Sequence, residues 1–328
     1  MTDELELLRG ADPVSAETGP WRDRPLDARA ELLLTRLPAR ERRRRTVRRT
    51  VLAVAGAAAA TAVALALTVS GGGSTPAVAV PRPLVAHASR ADVPLAEIAR
   101  RARAAAEAAP GRSVRGSHVQ TWSMGMETGK GARPPVTTPV ESLTTWNADG
   151  SGTLLQVATD PRHPGRPVID GGPPPRTVHD GKVLNREHYP KGTYGANQEY
   201  VEAPPAGVSE LRAYLAAWLP GADKDPVSLL SAIESFQTVW TPGPRQIADI
   251  ATLLSRLEGR MHPAGRVTDR LGREGQGFRM SGINGGRYLV VLDPDDGRLL
   301  DLELTATRAE PDFQLKAGSV MSYTAWRG

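Results

Sequence analysis

The sequence predicts an α+β fold: one transmembrane helix, then an outer antiparallel sheet packed with helices. Three observations predict it. Residues 51–69 read VLAVAGAAAATAVALALTV and carry no charge. From residue 92 onward the hydrophobic period changes in the order helix, strands, helices, strands, which favours an antiparallel sheet with segregated helices. Asn147-Ala148-Asp149-Gly150-Ser151 and Asp293-Pro294-Asp295-Asp296-Gly297 each lie between two alternating segments, as hairpin turns do.

A helix over 51–69 spans about 28 Å, close to the thickness of a bilayer's hydrocarbon core. Its Ala residues are nearly neutral for insertion, and Val51, Leu52, Val54, Val63, Leu65, Leu67 and Val69 supply the favourable terms. Arg42, Arg43, Arg44, Arg45, Arg48 and Arg49 stand directly before it, and Gly71-Gly72-Gly73-Ser74 follows soon after. Positive residues stay inside, so the expected topology is a single pass in the cell membrane, with a cytoplasmic N-terminus and an extracytoplasmic C-terminal domain. Arg48-Arg49-Thr50-Val51-Leu52 resembles the start of a twin-arginine signal, and Ala77-Val78-Ala79 has the form of a cleavage site. The long leader before the apolar run favours an uncleaved signal anchor instead. Gly56 and Ala60 form a small-residue pair that would seat a second helix.

The expected parts are a cytoplasmic tail over 1–50, the span over 51–69, a linker over 70–91 and an outer domain over 92–328. The tail holds two short amphipathic segments, one with Leu5, Leu7 and Leu8, the other with Leu26, Ala30, Leu33, Leu34 and Leu37. Neither buries much alone, so the tail is expected to be partly disordered or to wait for a partner, with Leu5, Leu7, Leu8, Leu33 and Leu34 as its contact residues. The isoelectric point near 9.7 suggests nucleic acid at first sight. The outer part is nearly neutral, however, and the one dense basic run is the arginine cluster, which reads as a topology signal touching anionic lipid rather than as a DNA-binding element. The chain has no Cys, which excludes a lipoprotein anchor, a thiol nucleophile, disulfides and cysteine zinc sites.

Along the outer part, residues 71–92 carry Gly and Pro without periodicity. Asp92 is placed to cap a helix over 93–109 with Pro94 in its first turn and Leu95, Ile98, Ala99, Ala102, Ala105 and Ala106 as its stripe. Strands are expected over 113–127, 136–146 and 152–158. Prolines then crowd a long loop. Asp180-Gly181 suggests a hairpin of 176–179 with 182–186. Three helices follow: 209–219; one from Pro226 capped by Asp225; and one from Pro244 with Ile247, Ile250, Leu254 and Leu257 in register. Strands are expected again over 265–270, 275–281, 287–292, 298–305 and 320–326.

Asp3-Glu4-Leu5-x-Leu7-Leu8-Arg9, the arginine-flanked span, Asp269-Arg270-x-Gly272-Arg273 and Leu292-Asp293-Pro294-x-x-Gly297-Arg298-Leu299-Leu300 together resemble an actinobacterial family of single-pass membrane-anchored proteins without an assigned function. The helix followed by an antiparallel sheet is also similar to the half-barrel of lipoprotein carriers and sigma-regulator sensor domains. The resemblance implies an envelope protein whose tail regulates an extracytoplasmic-function sigma factor. It implies, as the alternative, a carrier of lipid or another apolar ligand. It supplies no catalytic residues.

The residues themselves supply none either. His87, His118, His163, His179, His188 and His262 show no metal spacing, and His179 and His188, bracketing Asp180 and Glu187, come nearest to a cluster. Gly282-Ile283-Asn284-Gly285-Gly286 reads as a turn and not a phosphate cradle, and Asp293, Asp295 and Asp296 read as a turn rather than a Ca²⁺ loop. Trp122, Trp146, Trp218 and Trp240 read as core. The expectation is therefore a binding protein, not an enzyme, with no cofactor and no metal. Membrane lipid, a sigma factor or an apolar ligand are its expected partners, and nucleic acid is not.

Overall fold

The computed structural model describes residues 81–88, 92–124, 139–159, 169, 178, 181–193, 202–282, 285–310 and 315–327. The arginine cluster from Arg42 to Arg49, the 51–69 run and the tail leucines Leu5, Leu7, Leu8, Leu33 and Leu34 lie outside these residues. Among the described residues, no helix is long and apolar enough to cross a membrane.

The described chain is α+β, with eleven strands and four helices. It runs β1 (Ala86–His87), α1 (Leu95–Ala108), β2 (Val114–Ser123), β3 (Val140–Trp146), β4 (Gly152–Ala158) and β5 (Lys182–Tyr189). Three helices follow: α2 (Val208–Trp218), α3 (Pro226–Val239) and, after β6 (Trp240–Thr241), α4 (Pro244–Ser255). The chain ends in β7 (Met261–Thr268), β8 (Glu274–Ser281), β9 (Gly286–Leu292), β10 (Leu299–Ala306) and β11 (Val320–Trp326). All strands join one antiparallel sheet in the order β1-β7-β8-β9-β10-β11-β2-β3-β4-β5, with β6 pairing β2. Two meanders, β2–β5 and β7–β11, are thus stitched at the centre by β11 and β2, where Tyr323 faces Trp122.

Local chemistry explains the elements. The Asp225 carboxylate accepts the Ser228 N–H at 2.8 Å, and Pro226 opens α3 where an N–H would go unused. Asn147 and Asp149 organise the β3–β4 turn with Ser151. Beside that turn the Trp146 ring covers Gly152 and stacks on Tyr189 at 4.9 Å, so the aromatic fills the space that the missing side chain of Gly152 leaves.

Alternate residues of the central strands, such as Phe278, Val290, Leu302 and Leu304, pack with Ile233, Phe236 and Leu254 of the helices. The opposite face is covered too. Leu289, Val291 and Leu300 pack beneath Leu84 and Ala86, and Trp122 packs with Val320 and Tyr323. The strand β10 is consequently buried along almost its whole length.

Several expectations need correction. Asp92 does not cap α1: Pro94 holds the N-cap position with extended backbone, and no side chain caps that end. Residues 86–87 of the expected linker are not free but form β1 against β7. Of the hairpin expected at Asp180-Gly181, the described residues show β5 pairing with β4 and Val178 bridging Ile169. Residues 176, 177, 179 and 180 of that expectation lie outside the described residues. Asp269 and Arg270 belong to the β7–β8 turn and not to a strand, because the Asp269 carboxylate gathers the backbone N–H groups of Leu271 and Arg273. Leu257 falls beyond the end of α4, where it is half-buried against the core. Trp122 and Trp240 are core residues, whereas Trp146 and Trp218 are only partly buried.

Candidate functional site

The cleft lies at one end of the sheet, where four pieces of chain converge. The start of β2 brings Ser117, and the end of β11 brings Trp326. The β9–β10 turn brings Gly297 and Arg298, and α4 brings Ile247 and Ile250. Together they line a small cleft of about 40 Å³ that opens to solvent.

Small residues set its dimensions. Helices α1 and α4 meet through Ala99, Ala102, Ala106, Ala248 and Ala251, so their backbones approach closely. The β9–β10 turn reaches them with Gly297 at φ 77°, where a Cβ would stand 2.7 Å from the Ala102 methyl and 3.2 Å from that of Ala251. Only glycine suits both that backbone and that space. The floor is fastened by hydrogen bonds. Ser117 donates its hydroxyl to the Thr238 carbonyl at 2.6 Å, and Ser113 accepts the Gly243 N–H at 2.9 Å while donating to Gln246 at 3.0 Å.

The charges near the cleft are already engaged. Arg273 donates to Asp269 at 2.8 Å and to the Leu300 carbonyl at 3.1 Å. Arg298 donates to Asp296 at 2.7 Å and to Asp293 at 3.2 Å. The His118 ring bonds Glu141 at 2.6 Å, and Glu141 also accepts the Ile169 N–H. Between these polar groups lies an apolar wall of Ile247, Ile250, Leu299, Leu300 and Trp326.

A charged cluster lies on the covered face of the same strands. Arg270 bonds Glu303 and places its guanidinium 4.7 Å from the Tyr323 ring centre. Asp301 is wholly buried and accepts the Arg270 backbone N–H at 3.2 Å, while its second oxygen has no partner among the described residues. Burial raises the Asp301 carboxyl well above the usual range against the pull of the Arg270 charge. Burial raises Glu303 too, again opposed by Arg270 and by the Leu84 N–H. One guanidinium thus serves two buried carboxyls, both of which burial shifts toward the protonated form.

The His179–His188 cluster singled out in sequence is only half described. His188 is exposed on β5, and His163 and His179 lie outside the described residues. Among the described residues, no group of three or more histidine, cysteine or acidic side chains is arranged to hold a metal. Asp293 instead receives the backbone N–H of Asp295 at 2.9 Å and the Arg298 side chain, as a turn residue does. The residues that build the cleft, Gly297, Trp326 and Ile247, carry no motif. Their only early signal was the turn of Gly297 and the in-register position of Ile247. No protein-family model matches this sequence, and no curated protein matches it either.

Proposed function

We propose that the chain is a single-pass membrane-anchored envelope protein, not an enzyme, whose outer domain binds an apolar or amphipathic ligand. The observation that carries the binding reading is the apolar cleft at the end of the sheet, with its neighbouring charges already paired. The uncharged 51–69 run behind six arginines supports the anchoring, and the antiparallel sheet packed with helices is consistent with the half-barrel of lipoprotein carriers and sigma-regulator sensors. Through its tail the protein regulates a sigma factor at the membrane, and ligand capture outside is the event the tail reports.

Solvent extraction of the full-length chain, purified from its own membranes, tests the binding reading. Mass spectrometry is expected to find one apolar species near stoichiometric amount. Ile247→Trp, which fills the cleft from α4, is expected to reduce its recovery roughly tenfold, the equivalent of about 1.4 kcal/mol. Equal recovery from both chains would place the ligand elsewhere, and no species in either would end the binding reading. The tail reading has its own test. A peptide of residues 1–50 is expected to capture one sigma factor that a peptide of the arginine cluster alone does not. Replacing Leu5, Leu7 and Leu8 with Ser is expected to abolish the capture.

A further inference from the structure

The segment just before the folded domain does not merely lead into it. Residues 84–87 lie along the covered face and edge of the sheet and are held there by three different contacts. Ala86 and His87 pair with Val267 and Arg266 as an added antiparallel strand. The Leu84 N–H donates to both carboxylate oxygens of Glu303, at 3.1 and 3.3 Å. The side chains of Leu84 and Ala86 cover Ala264, Val267, Leu289, Val291 and Leu300.

The docking surface is shaped for this segment. Gly265 sits at φ 111° under the His87 carbonyl, where a Cβ would stand only 2.2 Å from that oxygen. The partner register of β7 shifts beside it, between Pro263 and Gly265. A close backbone approach of this kind admits no other residue. Among the described residues the attachment is short: two paired residues, the Leu84 N–H, the apolar contacts of Leu84 and Ala86, and a buried Pro81, with Val85 63% exposed between them. Elements with so few contacts open separately from the core.

We propose that residues 81–88 form a releasable latch, which ties the N-terminal part of the chain to the sheet through Glu303 and the β7 edge. Release uncovers the Arg270–Glu303 pair and frees the β7 edge. Docking withdraws both. The latch rests on the contacts above and stands whether or not the N-terminal part spans a membrane.

Hydrogen exchange of the full-length chain tests it, read on peptides covering 81–88 and 286–292. In the native chain the first is expected to exchange at least tenfold faster than the second, through a local opening, and slower than the same peptide free in solution. Leu84→Pro removes the donating N–H, and Gly265→Ala pushes the strand from the edge. Each is expected to speed exchange of 81–88 roughly tenfold further while leaving 286–292 unchanged. Leu84→Pro changes only the attached segment, so it remains informative if Gly265→Ala fails to fold. Exchange of 81–88 at the rate of the core would overturn the latch. So would a Leu84→Pro chain in which 81–88 is unaffected, or in which both peptides accelerate together.

Discussion

Gly297→Ala is expected to destabilise the folded domain by about 2–5 kcal/mol. The backbone there has φ 77°, which costs a residue with a Cβ about 1–2 kcal/mol. The new methyl also meets Ala102 at 2.7 Å, and overpacking of this kind costs about 1–3 kcal/mol more. Gly272→Ala provides the comparison. Gly272 has φ 81° but nothing within 4 Å of a Cβ, so it bears the backbone cost alone. Urea unfolding of both variants, followed by tryptophan fluorescence, separates the two contributions. If the variants lose equal stability, Gly297 does not set the α1–α4 spacing, and the account of the cleft's dimensions fails. If Gly297→Ala loses more, the excess measures the packing around the cleft. On the proposed binding reading, the same variant is expected to recover less ligand, because the turn that carries Arg298 and Leu299 must move away from the helices.

Arg270→Met is expected to cost about 3–5 kcal/mol at neutral pH, because it leaves Glu303 and Asp301 buried without their shared cation. Adding Asp301→Asn and Glu303→Gln is expected to recover most of that loss, since the carboxyls and not the guanidinium then cause it. The pH dependence follows from the direction of the shifts. Burial raises both carboxyls above their unfolded values, so the folded chain binds protons that the unfolded chain releases. The stability those protons confer is complete below the unfolded carboxylate range, at about pH 4, and is lost as pH rises through the folded values. Asp301→Asn in the otherwise native chain is therefore expected to raise the melting temperature at pH 7 and to change it little at pH 4. The Arg270→Met loss is expected to be larger at pH 7 than at pH 4. Differential scanning calorimetry at both values reads all of these. A neutral-pH melting temperature lowered by Asp301→Asn would show that Asp301 is ionised in the fold and that its charge is needed.

Much of the fold was legible because local chemistry and long-range packing agree. The Asp225–Pro226 start of α3, the Pro244 start of α4 and the turns at 147–151 and 293–297 stand where residue preference puts them. The order helix, strands, helices, strands also pointed to an antiparallel sheet, which is the arrangement observed. The pairing of β5 with β4 was not legible, because the long proline-rich stretch between them carries no local signal of which strand β5 will meet. Residues 86–87 gave no strand signal, since a two-residue segment acquires strand pairing only from the β7 edge that receives it.

The site was harder to read than the fold. Leu299-Leu300-Asp301-Leu302-Glu303-Leu304 alternates apolar and acidic residues, which in an isolated strand describes one buried face and one wet face. Here Asp301 and Glu303 point to a face that the chain itself covers, so the acids are buried. Trp326 reads as the end of the last strand, and only the return of β11 beside β2 brings it to α4 and the β9–β10 turn. His118 and Glu141 are on neighbouring strands, and their bond depends on a register that no local pattern encodes.

The central claim is that the chain is anchored with its tail inside and its domain outside, and the absence of native cysteine permits a direct measurement. Single cysteines are introduced at Ser15 in the tail and at Val114, which is 63% exposed at the start of β2. Intact cells are treated with a membrane-impermeant maleimide, and a second sample is treated after lysis. The account predicts that Val114→Cys is labelled in intact cells, whereas Ser15→Cys is labelled only after lysis. Labelling of Ser15→Cys in intact cells, or protection of Val114→Cys until lysis, would contradict it.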